Sequence, residues 1–405
     1  MSRYRLVPTA PQEQVLRDHC AHARYVWNLA AEQQSWWRPG RGSAPGYCAQ
    51  AAQLTGARAE HEWLRAGSQM VQQQALRDFA QAMASFFGGT HRRPTWRKAG
   101  RNEGFRIVAV KPAHVRRLGR RSGEAWIPKA GWVRFRWSRA VPEAKSYRVS
   151  CDRAGRWHIA FAAIPDPVPA PGTGQVVGVD RGVAVSAALS TGEPCSCPGL
   201  KPGELGRLKR LQRKLARARR GSHRRARTRA AIARLKARES DRRKDWAEKL
   251  STRLAREFDV IRVEDLRIKN MTRSARGTID SPGRNVRGKA GLNRGIQASG
   301  WGLLARRLEH KAPGRVEKIS PAYTSLTCNA CGCCDRRNRK SQAFRCIECG
   351  HCDHADVNAA KNIAAGGGRA VASARGRLTG EREPAPSPPA GRLNREPQQR
   401  DLLVA

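Results

Sequence analysis

The stretch VVGVD, residues 176–180, decides how this chain is read. A short continuous apolar run suits a buried strand. It ends on Asp180, and an acid is costly to bury without a partner. VIRVE (260–264) repeats the pattern and ends on Glu264, while DVNAAKNIAA (356–365) reads as an Ala-rich helix opened by Asp356. Three acids brought together from such ends repel one another unless cations neutralise them. Two Mg²⁺ ions about 4 Å apart do so, activating a water for in-line attack on a phosphodiester and stabilising the leaving oxygen. Read singly, each acid has a plainer use. Asp180 can close a turn, Asp265 can take the place of Glu264, and Asp356 can cap its helix.

The charge balance names the class of partner. The chain has 405 residues, with 78 Lys+Arg against 33 Asp+Glu, a net charge of +45, and 62 of the bases are Arg. An excess this large repels itself unless a polyanion offsets it. Nucleic acid is the usual one, and guanidinium groups bind phosphate bidentately and stack on bases. The chain is not merely a basic tail, because 11 Trp and a 40% hydrophobic content can build a core. The length allows two to four domains. No apolar run approaches about 18 residues, so no membrane span is expected. The opening MSRYRLVPTAPQEQ lacks the apolar segment of a secretory signal. Seven of the 12 Cys fall between Cys328 and Cys352. That clustering reads as metal binding in a reducing, cytoplasmic setting.

Within the cluster, Cys328-x2-Cys331 and Cys346-x2-Cys349 form two knuckles, 14 residues apart, that suit tetrahedral Zn²⁺. Cys331-x2-Cys334 and Cys349-x2-Cys352 overlap them. Gly332 and Gly350 decide, since a glycine can take the φ > 0 turn that points amides at the sulfurs. Cys333, Cys334, Cys352, His351 and His354 are taken as bystanders. Four protein ligands leave no open position, so the zinc is expected to be structural.

Reading outward, RYRLV (3–7) suggests a strand, and Thr9 with Gln12 a capping box opening a helix to about Trp37. Ser68 opens a second helix ending at Gly88-Gly89. Residues 91–107 are basic with interleaved aromatics. Arg92, Arg93, Trp96, Arg97, Lys98, Arg101 and Phe105 suit phosphate contact with base stacking, or the stretch is a basic loop pinned by two core aromatics. From 125 to 163 the pattern alternates with period two, predicting an antiparallel sheet or small barrel, and PDPVPAPGTG (165–174) predicts a linker. Residues 201–256 predict a basic helical hairpin. Residues 272–295 read as a mobile loop, 296–312 as one helix, and 366–405 as a disordered tail.

The motif order GVDRG (178–182), VEDL (263–266), TSLTCNACG (324–332), CIECG (346–350) and DVNAAKNI (356–363) resembles the TnpB (OrfB) family. These are RNA-guided nucleases of bacterial insertion sequences, related to compact type V CRISPR effectors. The likeness extends upstream through RLVPTAPQEQ, QQALRDFAQA, PTWRKAGRNEGFRI and AGWVRFRW, covering roughly residues 3–365. It implies an α+β, α/β multidomain chain. Residues 1–165 would form a wedge β-barrel with a helical recognition module at about 10–90, followed by a linker at 166–175. A RuvC-like, RNase-H-type nuclease domain would span 176–320, with the hairpin (201–256) inside it, a zinc ribbon at 321–352 and its last segment at 353–365. The resemblance also implies Asp180, Glu264 and Asp356 as Mg²⁺-binding catalytic acids. Its implied partners are a guide RNA from the transposon end and double-stranded target DNA bearing a short adjacent motif, with the protein acting as a monomer. Competing expectations are a catalytically silent regulator of the same family, a compact CRISPR effector, or a structural nucleic-acid-binding protein. Two departures stand out: DWAEKLS (245–251) carries Glu248 where the family often has His, and residues 333–345 carry extra Cys and Arg, which implies a different ribbon tip.

Overall fold

The computed structural model describes residues 2–367 apart from 38, 39 and 41. The expected tail from 368 onward lies outside the described residues.

The N-terminal part runs β1 (Ser2–Arg5), α1 (Ala10–Ser35), α2 (Tyr47–Glu60), α3 (Glu62–Ala66), α4 (Gln69–Phe87), β2 (Gly104–Val108), β3 (Val115–Arg117), β4 (Ser122–Ile127), β5 (Gly131–Arg136), β6 (Ser146–Cys151) and β7 (Trp157–Phe161). Thr9 and Gln12 form the capping box that opens α1. Helices α2 and α3 leave little mark in the sequence, because α2 buries only Gln50 and Leu54 and so has little apolar periodicity.

The expected barrel is corrected to two sheets, ordered β1-β7-β6-β2 and β3-β4-β5. They meet where the chain leaves one for the other. The Leu6 amide donates to Trp157 in the first sheet, and the Val7 amide donates to Arg134 in the second. Among the described residues no pairing closes the remaining β2 and β3 edges into a ring. One core serves both sheets and the helices, with Tyr4, Phe135 and Phe161 beside Leu16, Val26 and Phe79.

The second part contains β8 (Val176–Asp180), β9 (Ala187–Leu189), β10 (Pro194–Cys195), α5 (Pro202–Ala216), α6 (His223–Glu257), β11 (Val260–Glu264), α7 (Ile268–Met271), α8 (Val286–Ser299), α9 (Trp301–Lys311) and β12 (Val316–Ile319). The ribbon strands β13 (Arg339–Lys340), β14 (Ala343–Arg345) and β15 (Cys352–His354) follow, then α10 (Ala355–Ala364). The sheet order is β10-β9-β8-β11-β12. Strands β8, β9 and β10 form an antiparallel meander, β11 runs parallel to β8, and β12 runs parallel to β11.

Strand alternation sorts the faces. Val177, Val179, Ile261 and Val263 enter one core with Leu250 and Leu254 of α6 and Leu304 and Leu308 of α9. Gly178, Asp180, Arg262 and Glu264 therefore share the opposite face, which α10 covers. Helix α10 lies so close that a β-carbon at 178 would sit 2.0 Å from the Ala360 carbonyl oxygen and 2.5 Å from the Ala364 amide nitrogen. Its own contact face is small, with Ala355, Ala359 and Ala360 all buried. Arg262 adds a 2.5 Å hydrogen bond to the Ala364 carbonyl.

Two expectations fail between 272 and 312. The predicted loop contains most of α8, and the predicted single helix is broken at Gly300. Gly300 has φ +72°, a left-handed turn that L side chains rarely adopt. Glu248 receives a structural use. It pairs with the Lys311 ammonium at 2.9 Å and accepts from Arg307 at 2.9 Å, tying α6 to α9. Burial alone would raise its carboxyl, but those two cations outweigh it and hold it below the usual range.

Gly178→Ala is expected to cost about 1–3 kcal/mol or more by overpacking. Thermal unfolding of the purified protein measures this.

Candidate functional site

The parallel register explains how the first two acids meet. Arg262 lies beside Gly178 and Val263 beside Val179, and the next position of each strand carries Glu264 and Asp180. The third acid, Asp356, sits in the first turn of α10. His354 caps that helix, its side chain accepting from the Asp356 amide.

Glu264 and Asp356 are buried and Asp180 is half-buried. Burial pushes the Asp180 carboxyl up to about 7, with the Glu264 and Asp356 charges adding to the rise. Burial also raises Glu264, against a hydrogen bond from Thr324 and the charges of Arg181 and Arg339. Compensation comes from three directions. The Thr324 hydroxyl donates to Glu264 Oε1 at 3.0 Å. Arg339 pairs with Asp356 Oδ1 at 2.9 Å. The buried Arg181 guanidinium donates to the Glu264 backbone carbonyl. The acids remain a concentration of negative charge in a strongly basic molecule, and their oxygen donors suit a hard divalent cation.

Behind the acids, α10 grips the segment leading into the ribbon. Asn362 Nδ2 donates to the carbonyls of Thr324 at 2.8 Å and Thr327 at 2.7 Å, and Asn358 Nδ2 donates to Thr327 at 2.8 Å. The Asn329 amide donates back to Asn358 Oδ1 at 3.0 Å. Sequence reasoning misses Thr324, Asn358, Asn362, Arg181 and Arg339. The signal available is two amides at i and i+4 on an otherwise Ala-rich helix, since buried amides require partners.

Cys328, Cys331, Cys346 and Cys349 bring their sulfurs within 4.8 Å of one another. Gly332 and Gly350 have φ +80° and +73°. Amides of residues 330 and 331 donate to the Cys328 sulfur, and those of 348 and 349 to the Cys346 sulfur. Four thiolates so arranged suit zinc. Cys352 instead contacts the Gly350 carbonyl, and His354 is used as a helix cap.

The basic stretch divides. Arg92, Arg93, Trp96, Lys98 and Arg101 are exposed. Phe105 is corrected to a core residue, 3% exposed on the inward side of β2, where no base can reach it. Arg97 stacks over Trp27 at 3.6 Å, and burial lowers its guanidinium to about 10.

Residues 158–275 match the OrfB IS605 family model, described as "Probable transposase". Residues 301–363 match the Cas12f1-like TNB domain, and 2–42 a helix-turn-helix domain. The "Putative RNA-guided DNA endonuclease InsQ" of Escherichia coli (strain K12) is 33% identical over 332 residues, 80% of this chain and 81% of that protein. The chain belongs to the IS605 OrfB/TnpB family. A second relative, "Putative RNA-guided DNA endonuclease" of Streptomyces pristinaespiralis, is 31% identical over 379 residues, covering 90% of this chain and 88% of that one. The Cas12f1 chain of a cryo-EM Cas12f1–sgRNA–target DNA complex shares the fold at TM-score 0.51 and 14% identity, covering 88% of this chain and 83% of that chain. No helix among the described residues is long and apolar enough to cross a membrane.

Cys328→Ser is expected to lower the zinc content, and Cys352→Ser to leave it unchanged, by elemental analysis. Asp180 binds its proton more tightly folded, at about 7, than unfolded, at about 3.9. The stability this contributes is full below about pH 4 and is lost as pH rises to about 7. Asp180→Asn is therefore expected to raise the melting temperature of metal-free protein more at pH 8 than at pH 5.

Proposed function

We propose that the chain is an RNA-guided, Mg²⁺-dependent DNA endonuclease associated with a transposon, cutting target DNA beside a short adjacent motif. The observation carrying this reading is the convergence of Asp180, Glu264 and Asp356 from three separate segments onto one face of one sheet. The names of the two relatives support the guide and the DNA target. The meander followed by two parallel strands supports a RuvC-like, RNase-H-type domain over 176–320, completed by 353–365 and interrupted by the ribbon at 321–352. Residues 1–165 then serve as the wedge and recognition half, joined through the linker at 166–175.

Bound Mg²⁺ would supply an activated water and stabilise the leaving oxygen. Asp180, Glu264 and Asp356 would hold the ions. Arg339 offsets the Asp356 charge in the metal-free protein. The ribbon zinc is structural, because four protein ligands leave no open position. Exposed Arg92, Arg93, Lys98 and Arg101 attract phosphates, and Trp96 offers a stacking face. Guide pairing carries the target sequence. The protein acts as a monomer in the cytoplasm.

Purification with the bound RNA, followed by cleavage of a randomised motif library with and without Mg²⁺, tests this reading. Asp180→Ala is expected to abolish cutting while RNA is retained, and persistent cutting by that variant overturns it. RNA affinity is expected to fall steeply with salt.

A further inference from the structure

We infer that Thr324 is a positioning residue for the Glu264 carboxylate, through which α10 and the segment entering the ribbon set the geometry of the acid cluster. This rests on the metal-site reading above.

Thr324 and Glu264 are both buried, at 2% and 8% exposure. The Thr324 hydroxyl has one proton and two acceptors in reach, Glu264 Oε1 at 3.0 Å and the Pro321 carbonyl at 3.2 Å. An ionised carboxylate is the stronger acceptor. The proton therefore goes to Glu264 when that group is charged, the state a cation requires. The bond fixes the rotation of the carboxylate, while lone pairs on both oxygens remain for a cation.

The hydroxyl is itself held in place. Asn362 fixes the Thr324 carbonyl, and Asn358 and Asn362 together fix Thr327, next to Cys328. Both amides stand on α10, whose first turn carries Asp356. One short relay thus links two of the acids and the first zinc knuckle. Partners that orient metal ligands typically matter by about 10- to 100-fold in metal affinity or activity.

The test is Mn²⁺ binding to zinc-loaded full-length protein, followed by electron paramagnetic resonance, alongside Mg²⁺ titration of cleavage by the RNA-bound protein. Thr324→Val removes the hydroxyl at nearly constant shape. It is expected to keep its zinc and bound RNA, to bind Mn²⁺ about 10-fold or more weakly, and to need correspondingly more Mg²⁺ for half-maximal cutting. Thr324→Ser is expected to recover most of both. Asn362→Ala, which frees the threonine backbone and leaves its hydroxyl, is expected to weaken Mn²⁺ by a smaller factor. Wild-type Mn²⁺ affinity in Thr324→Val overturns the inference, and wild-type affinity in Asn362→Ala overturns the relay through α10. If wild-type protein binds Mn²⁺ in a Thr324-dependent way yet cuts no DNA, the nuclease reading fails and the positioning role stands.

Discussion

Helix α10 reaches the sheet because position 178 has no side chain, and the site depends on that approach. With Gly178 beneath Ala360 and Ala364, the helix lies directly on β8. Its first turn then brings Asp356 to the face carrying Asp180 and Glu264. The parallel pairing of β8 with β11 supplies the other two acids in adjacent register. No long-range loop has to be ordered to assemble them. Two strand ends and one helix start suffice, and each belongs to a packed element.

The electrostatics run against the rest of the molecule. A chain with net charge +45 gathers Asp180, Glu264 and Asp356 where water is scarce and neighbouring bases compensate them only in part. Asp180 shows this in the rise of its carboxyl to about 7. Arg181 follows Asp180 on the same segment, whereas Arg339 arrives from the ribbon, so compensation is drawn partly from a segment that carries none of the acids.

Much of this is legible in the sequence, for identifiable reasons. The apolar strands ending on acids, the two Cys knuckles with their glycines and the Thr9–Gln12 capping box are local patterns, and local patterns survive folding. What escapes depends on tertiary contact. Thr324 and the two asparagines matter only through partners far along the chain. Phe105 looks available for stacking because it lies in a basic stretch, yet strand alternation turns it inward. The α8–α9 break at Gly300 is hidden by a continuous apolar pattern. The barrel expectation fails because, among the described residues, the sheets are bridged at the corner after β1 while no pairing joins β2 to β3. Glu248, a puzzling residue on paper, is the tie between two helices.

The order of segments along the chain has a consequence for synthesis. Asp356 is the last of the three acids and lies beyond the whole zinc ribbon. The basic hairpin and the first two acids are made earlier. A nascent or truncated copy ending before residue 356 therefore has most of its cationic surface but only two of its three carboxylates. The acid set is completed only in copies whose synthesis has passed through the four-cysteine segment.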